Sequence, residues 1–210
     1  MSPRTVIERI EGPAGPLECA LDEPAGASRG VALVCHPHPQ QGGTMDNKVV
    51  QTLARAFMQL QWTSVRFNFR GVGGSAGNWD EGRGEVEDAL AVLAHFRAAR
   101  AEASAPFLVA GFSFGGYVAA EAADRLPEGD KPWRMVLVGP STQKHALRNV
   151  PADTLVIHGE IDDVVPLAAT FDWARPQALP VVVFPGVGHF FHGQLGVLKS
   201  VVVRHLQGSG

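Results

Sequence analysis

Short, almost uninterrupted apolar runs recur along the chain at 31–35, 63–69, 107–110, 134–138, 154–157 and 181–184. Several lack polar alternation, the mark of strands buried on both faces. Two earlier runs, 6–10 and 17–21, flank a Gly/Pro turn and read as an antiparallel pair. Between the runs, apolar residues return every three or four positions. Val49, Leu53, Phe57 and Leu60 form one such series, Val86, Leu90 and Leu93 a second, and Leu195, Leu198, Val202 and Leu206 the last. That spacing lays one apolar stripe along a helix, and Thr44 is the expected N-cap of the first. A further helix is expected over 117–126, stopped by Pro127. Strands alternating with helices imply α/β architecture: a mostly parallel central sheet with helices on both faces. A length of 210 residues suits one such domain, taken as 1–210. In these sheets ligands sit beyond the C-terminal strand ends, so the loops there are where chemistry is sought.

Gly-x-Ser-x-Gly occurs twice, around Ser75 and around Ser113. The pattern alone is weak and its context decides. A nucleophilic serine needs a strand running straight into a tight turn and then a helix, which lifts its Oγ above the sheet. Ser113 has the strand 107–110 before it and Gly115, Gly116 and the helix after it. Ser75 lies six positions beyond Phe69 in a Gly-rich loop, followed by Asn78, Trp79 and Asp80 rather than a helix. Ser113 is therefore the expected nucleophile.

A serine hydroxyl needs a base, and the base needs an orienting acid. Two later strand ends carry such groups. Asp162 and Asp163 follow the strand 154–157, and Asp162 is preferred because Asp163 can cap what comes next. His189 sits in the Gly-rich turn after the strand 181–184 and is preferred to His192, which lies beyond two phenylalanines. His158 ends a strand and reads as a structural histidine. The order Ser113, Asp162, His189 is the order such triads take on sheets of this kind.

Composition narrows the setting. Net charge is −3 with no cluster of Lys or Arg, so a nucleic-acid footprint is missing. No apolar run approaches the roughly 18 residues of a membrane helix, and no secretory h-region is visible at the N-terminus. A cytoplasmic location without membrane attachment is expected. Cys19 and Cys35 fall inside strands, which favours buried thiols, with a strand-to-strand disulfide as the alternative. No Cys-x-x-Cys or His-x-x-x-His spacing suggests zinc, and no metal or cofactor is expected. An exposed edge strand near the N-terminus leaves monomer and homodimer both open.

Together these residues resemble the α/β-hydrolase superfamily from about Gly30 onward. Arg70-Gly71-Val72-Gly73-Gly74-Ser75 is similar to a turn that often follows the family's fourth strand, which makes Ser75 structural. His158-Gly159-Glu160-Ile161-Asp162 resembles the acid loop, and Gly188-His189 the base position. The stretch from His36 to Lys48 resembles small bacterial serine hydrolases related to dienelactone hydrolases and esterases. An oxyanion hole wants two backbone N–H groups. The elbow offers that of Phe114. In His36-Pro37-His38-Pro39 the prolines have no N–H, so His38 is the donor this resemblance implies. Many members insert a lid after the sixth strand; here 139–153 has room for a short helix at most. Phe112, Phe114, Phe190, Phe191, Met45 and Trp79 are candidates to line an acyl pocket. The resemblance implies a serine hydrolase of carboxylic esters or thioesters, acting on a small acyl substrate. Amide hydrolysis, and a non-catalytic binding protein on the same fold, are the alternatives.

Overall fold

The computed structural model describes residues 5–99 and 105–208. Its strands are β1 (Thr5–Gly12), β2 (Gly15–Asp22), β3 (Val31–Cys35), β4 (Thr63–Phe67), β5 (Phe107–Phe112), β6 (Arg134–Val138), β7 (Leu155–Gly159) and β8 (Val181–Phe184). They form one eight-stranded sheet in the order β1-β2-β4-β3-β5-β6-β7-β8. β1 and β2 are a hairpin, and β2 joins β4 antiparallel; every other pairing is parallel.

The apolar runs are strands because both of their faces are covered. Every residue of β3, β4, β5 and β7 is buried. Successive side chains alternate between faces. Leu33, Val65, Val109 and Leu137 thus enter one core with α2 (Arg83–Ala98) and α3 (Phe114–Arg125). Val34, Leu108, Ala110 and Val136 enter the other with α1 (Lys48–Gln59) and α5 (Leu195–Gln207). With β5 central, its C-terminal end is flanked by those of β3 and β6, and β7 and β8 follow on one side.

Several details depart from the expected elements. The N-cap of α1 is Asn47, whose Oδ1 accepts the Val49 N–H at 2.9 Å. Thr44 lies too far upstream to cap α1; its Oγ1 accepts the Asp46 N–H at 3.2 Å. α3 starts at Phe114, not at 117, because Gly115 and Gly116 are helical and buried. A short helix, α4 (Leu167–Ala174), follows Pro166, and 139–153 holds only turns and irregular chain. Both cysteines are free and buried.

Two polar anchors hold the loop after β4. The Arg70 guanidinium grips buried Asp88 of α2, with Nη2–Oδ1 at 2.8 Å and Nε–Oδ2 at 3.0 Å. Ser75 Oγ donates to the Asn68 carbonyl at 2.6 Å and accepts the Glu18 N–H at 2.9 Å. Ser75 therefore stitches the loop to β2, a structural role. Among the described residues, no helix is long and apolar enough to cross a membrane.

Candidate active site

At the end of β5 the chain turns sharply into α3. Ser113 takes φ 56° and ψ −119°, a conformation costing about 1–3 kcal/mol that surrounding structure must hold in place. Its N–H donates to the Val138 carbonyl at 2.9 Å, and its carbonyl accepts the N–H of Gly116 at 2.9 Å and of Ser141 at 3.1 Å. The flanking glycines are required by close approach. A Cβ at position 111 would stand 2.0 Å from the Gly115 carbonyl oxygen, and one at 115 would stand 2.2 Å from that of Cys35. The motif's spacing is thus the footprint of β5, the turn and β3 packed backbone to backbone. Ser113 stays slightly open, at 7% exposure.

Asp162 and His189 come from the loops after β7 and β8. His189 Nδ1 lies 2.6 Å from Asp162 Oδ2. The other carboxylate oxygen, Oδ1, accepts the N–H groups of Val164 at 2.9 Å and Val165 at 2.7 Å. Burial pushes the carboxyl pKa up, but the bonds from His189 and the Val165 N–H outweigh it and hold the group below the usual range. With Nδ1–H given to an ionised Asp162, Nε2 keeps its lone pair. Asp163 and His192 are exposed and take no part in this pair. His158 is fully buried; its Nε2–H donates to the Val165 carbonyl at 2.8 Å and its Nδ1 faces Thr170 Oγ1 at 3.2 Å. Burial lowers its pKa, which fits a neutral structural ring beneath Asp162.

Ser113 and His189 both lie beside the end of β6. Ser113 is bonded to Val138, and a Cβ on the next residue, Gly139, would lie 3.4 Å from His189 Nδ1 and 3.5 Å from Asp162 Oδ2. The His189 ring packs 4.8 Å from that of Phe112, the residue before the serine. Among the described residues Ser113 Oγ makes no hydrogen bond to His189, a contact that in many hydrolases tightens only with substrate bound.

The loop after β3 is organised by a residue to which the sequence analysis gave no role. His36 is fully buried; its Nε2 accepts the Phe69 N–H at 3.0 Å and its Nδ1–H donates to the Pro37 carbonyl at 2.7 Å. Burial pushes its pKa down to about 3, so the ring is a neutral strut between β3 and the end of β4. The His38 carbonyl accepts the N–H of Gln41 and of Gly43, both at 3.0 Å. The His38 N–H has no partner among the described residues. Phe114 N–H opens α3, where the first amides have no partner within the helix.

His38, Gln41, Phe114, Ser141, Lys144 and Val165 line a cleft at Ser113 of about 10 Å³. Of the six residues expected to line an acyl pocket, Phe114 alone is in this lining. Phe112, Phe191 and Met45 are core. Phe190 is exposed and packs on Phe112 and His189, and Trp79 packs against His38 and Phe114. Three cleft neighbours were not singled out in the sequence: Ser141, Lys144 and His145. Their signal was positional, since they follow the C-terminal end of β6 at the same rim.

Comparison with known proteins identifies relatives of the chain. Residues 27–151 match the family model described as serine aminopeptidase, S33. XC6422 from Xanthomonas campestris, an α/β serine hydrolase without a lid, superposes with a TM-score of 0.90 at 37% identity over 97% of this chain and 94% of that one. An α/β serine hydrolase homologue from Coxiella burnetii gives 0.87 at 39% identity over 96% and 97%. An uncharacterized protein of Rickettsia prowazekii is 41% identical over 119 residues, 57% of this chain, and that match spans half (50%) of the relative's length. With the family model covering more than half of its residues, the chain belongs to the serine aminopeptidase S33 family of the α/β-hydrolase superfamily, in its lidless form.

Proposed function

We propose that the protein hydrolyses carboxylic esters or thioesters of short acyl groups. Ser113 Oγ attacks the carbonyl carbon while His189 Nε2 takes its proton. Asp162 holds the ring by Nδ1 and stabilises the imidazolium that forms. The N–H groups of Phe114 and His38 receive the negative charge on the carbonyl oxygen, a contribution of about 2.7–4 kcal/mol for each such donor. His189 then returns the proton to the leaving alcohol or thiol. Water, activated by the same ring, releases the acid from Ser113. The observation carrying this reading is the 2.6 Å contact of Asp162 with His189, beside a serine held in a strained turn at the same rim. A short acyl group is favoured because His38, Phe114 and Val165 crowd the cleft beside Ser113.

The family description favours a second reading, cleavage of peptide amides from a free N-terminus. That substrate brings an ammonium group, and the residues lining the cleft include a lysine but no carboxylate. Ester hydrolysis is therefore preferred, and matched acetyl esters and amides separate the two. The decisive test is Ser113→Ala with p-nitrophenyl acetate, paired with fluorophosphonate labelling. Loss of turnover and of the label is expected. Full turnover by the variant, or a label mapped elsewhere, overturns the assignment.

A further inference from the structure

Beyond β6 the chain runs through 139–153 without helix or strand. Its first turn, residues 141–145, reaches the nucleophile. Ser141 N–H donates to the Ser113 carbonyl at 3.1 Å, and Ser141 Oγ lies 3.0 Å from His145 Nδ1. The His145 ring stacks on Tyr117 at 4.7 Å and packs against Phe114 at 5.2 Å. The pair is thus held by α3, whose first residue follows the nucleophile. Ser141 and Lys144 both line the cleft. Lys144 is the one charged residue in that lining, is exposed, and forms no ion pair among the described residues.

Resting on the ester reading above, we propose that the turn 141–145 is the recognition element of the cleft and selects esters whose leaving group carries an anionic substituent. Lys144 Nζ supplies the counter-charge, and Ser141 Oγ, oriented by His145, supplies a hydrogen bond beside it. The charge is assigned to the leaving-group side because Lys144 is exposed at the edge of the cleft while Ser113 is buried at its base. Burial first, then the neighbouring His38 ring and the Lys144 charge, disfavours the cationic form of His145. A neutral imidazole either accepts the Ser141 proton or donates its own. When the ring donates its Nδ1–H to Ser141 Oγ, the hydroxyl proton is free to be given to the anion, and this is the state recognition uses. The Lys144 charge likewise disfavours protonation of His38, after burial, so its field reaches both walls of the cleft.

The test uses 4-acetoxybenzoate and its methyl ester, which share an acetyl group and differ by one charge. Each kcat/KM is divided by the ester's own hydroxide-catalysed rate. The wild type is expected to favour the anion by about five-fold, the most a solvent-exposed ion pair supports. That preference should shrink as ionic strength rises. Lys144→Met is expected to bring the ratio near one by raising KM for the anion rather than lowering kcat, and Lys144→Glu to reverse it. A ratio untouched by Lys144→Met or by salt overturns the proposal while leaving ester hydrolysis standing. If neither ester is turned over, the ester reading fails. Charge recognition is then decided by binding of 4-hydroxybenzoate against methyl 4-hydroxybenzoate. Selective loss of the anion in Lys144→Met upholds it, and equal binding by both proteins overturns it.

Discussion

Replacing Asp162 by Asn keeps the side chain's shape and removes its charge. Oδ1 keeps the N–H groups of Val164 and Val165, at 2.9 and 2.7 Å. The other position, 2.6 Å from His189 Nδ1, becomes an amide nitrogen with protons of its own. Two donors cannot share that contact, so His189 moves its proton to Nε2 and loses the lone pair that the proposed mechanism uses to deprotonate Ser113. Loss of the tautomer in such triads lowers kcat about 10⁴-fold, equivalent to about 5 kcal/mol of barrier. Stability should fall as well, by about 1.5–3 kcal/mol for a lost charged hydrogen bond. That loss has a sign in pH. The folded carboxyl titrates below its ordinary value of 3.8. Its stabilisation is therefore complete above about pH 4 and disappears as pH falls through the lower folded value. The gap between wild type and Asp162→Asn should be constant from pH 8 to 5 and close at stronger acid. The assays are steady-state hydrolysis of p-nitrophenyl acetate and urea unfolding across that range. Asp163→Asn, at an exposed position, is the control and should stay within about two-fold of wild type, since surface changes rarely exceed 0.5 kcal/mol. An Asp162→Asn enzyme retaining a tenth of wild-type kcat, or an equal loss in Asp163→Asn, refutes the reasoning.

Ser75→Ala removes the partner of the Asn68 carbonyl and the Glu18 N–H. It should cost about 1–3 kcal/mol in urea unfolding while labelling of Ser113 persists, whereas loss of the label would return Ser75 to the chemistry. His36 stays neutral down to about 3 in the fold, whereas its ordinary value is 6.5. Its stabilisation is full above pH 6.5 and declines as pH falls toward 3. By pH 5 it should have cost about 2 kcal/mol, read as a drop in unfolding free energy between pH 7.5 and 5.0 that His36→Gln reduces. Burial pushes the Cys19 thiol up to about 12 and the Cys35 thiol higher still. Both should resist a thiol reagent at pH 8 until denaturant is added; rapid labelling of the folded protein would contradict that burial. Gly115→Ala places a methyl 2.2 Å from the Cys35 carbonyl. Its melting temperature and fluorophosphonate labelling should both fall sharply, and unchanged values would mean the turn is less crowded than described.

Much of the fold was legible in the chain because burial on both faces leaves its own mark. A strand such as β3 or β5 has no solvent side, so it has no polar alternation, and the helices between carry one stripe each. The tight turn at position 113 was legible for a related reason: backbone packing on both sides of the turn excludes side chains at 111 and 115, and glycines record that exclusion. The structure pairs Asp162 with His189 and leaves Asp163 and His192 in solvent. What the letters could not carry depends on partners distant in sequence. The role of His36 exists because the Phe69 amide, 33 residues away, points at its Nε2. The cap of α1 depended on where the helix starts, which placed Asn47 rather than Thr44 against Val49. Which phenylalanines face the cleft depended on which side of the sheet each left the backbone, so Phe112 and Phe114 are buried in opposite cores and only Phe114 also borders the cleft. Local pattern alone determined the alternation of strands and helices and the rim where polar groups gather. Only the packed sheet decided which of those groups touch, because a contact a few ångströms long is set by the register of strands that the chain itself separates by tens of residues.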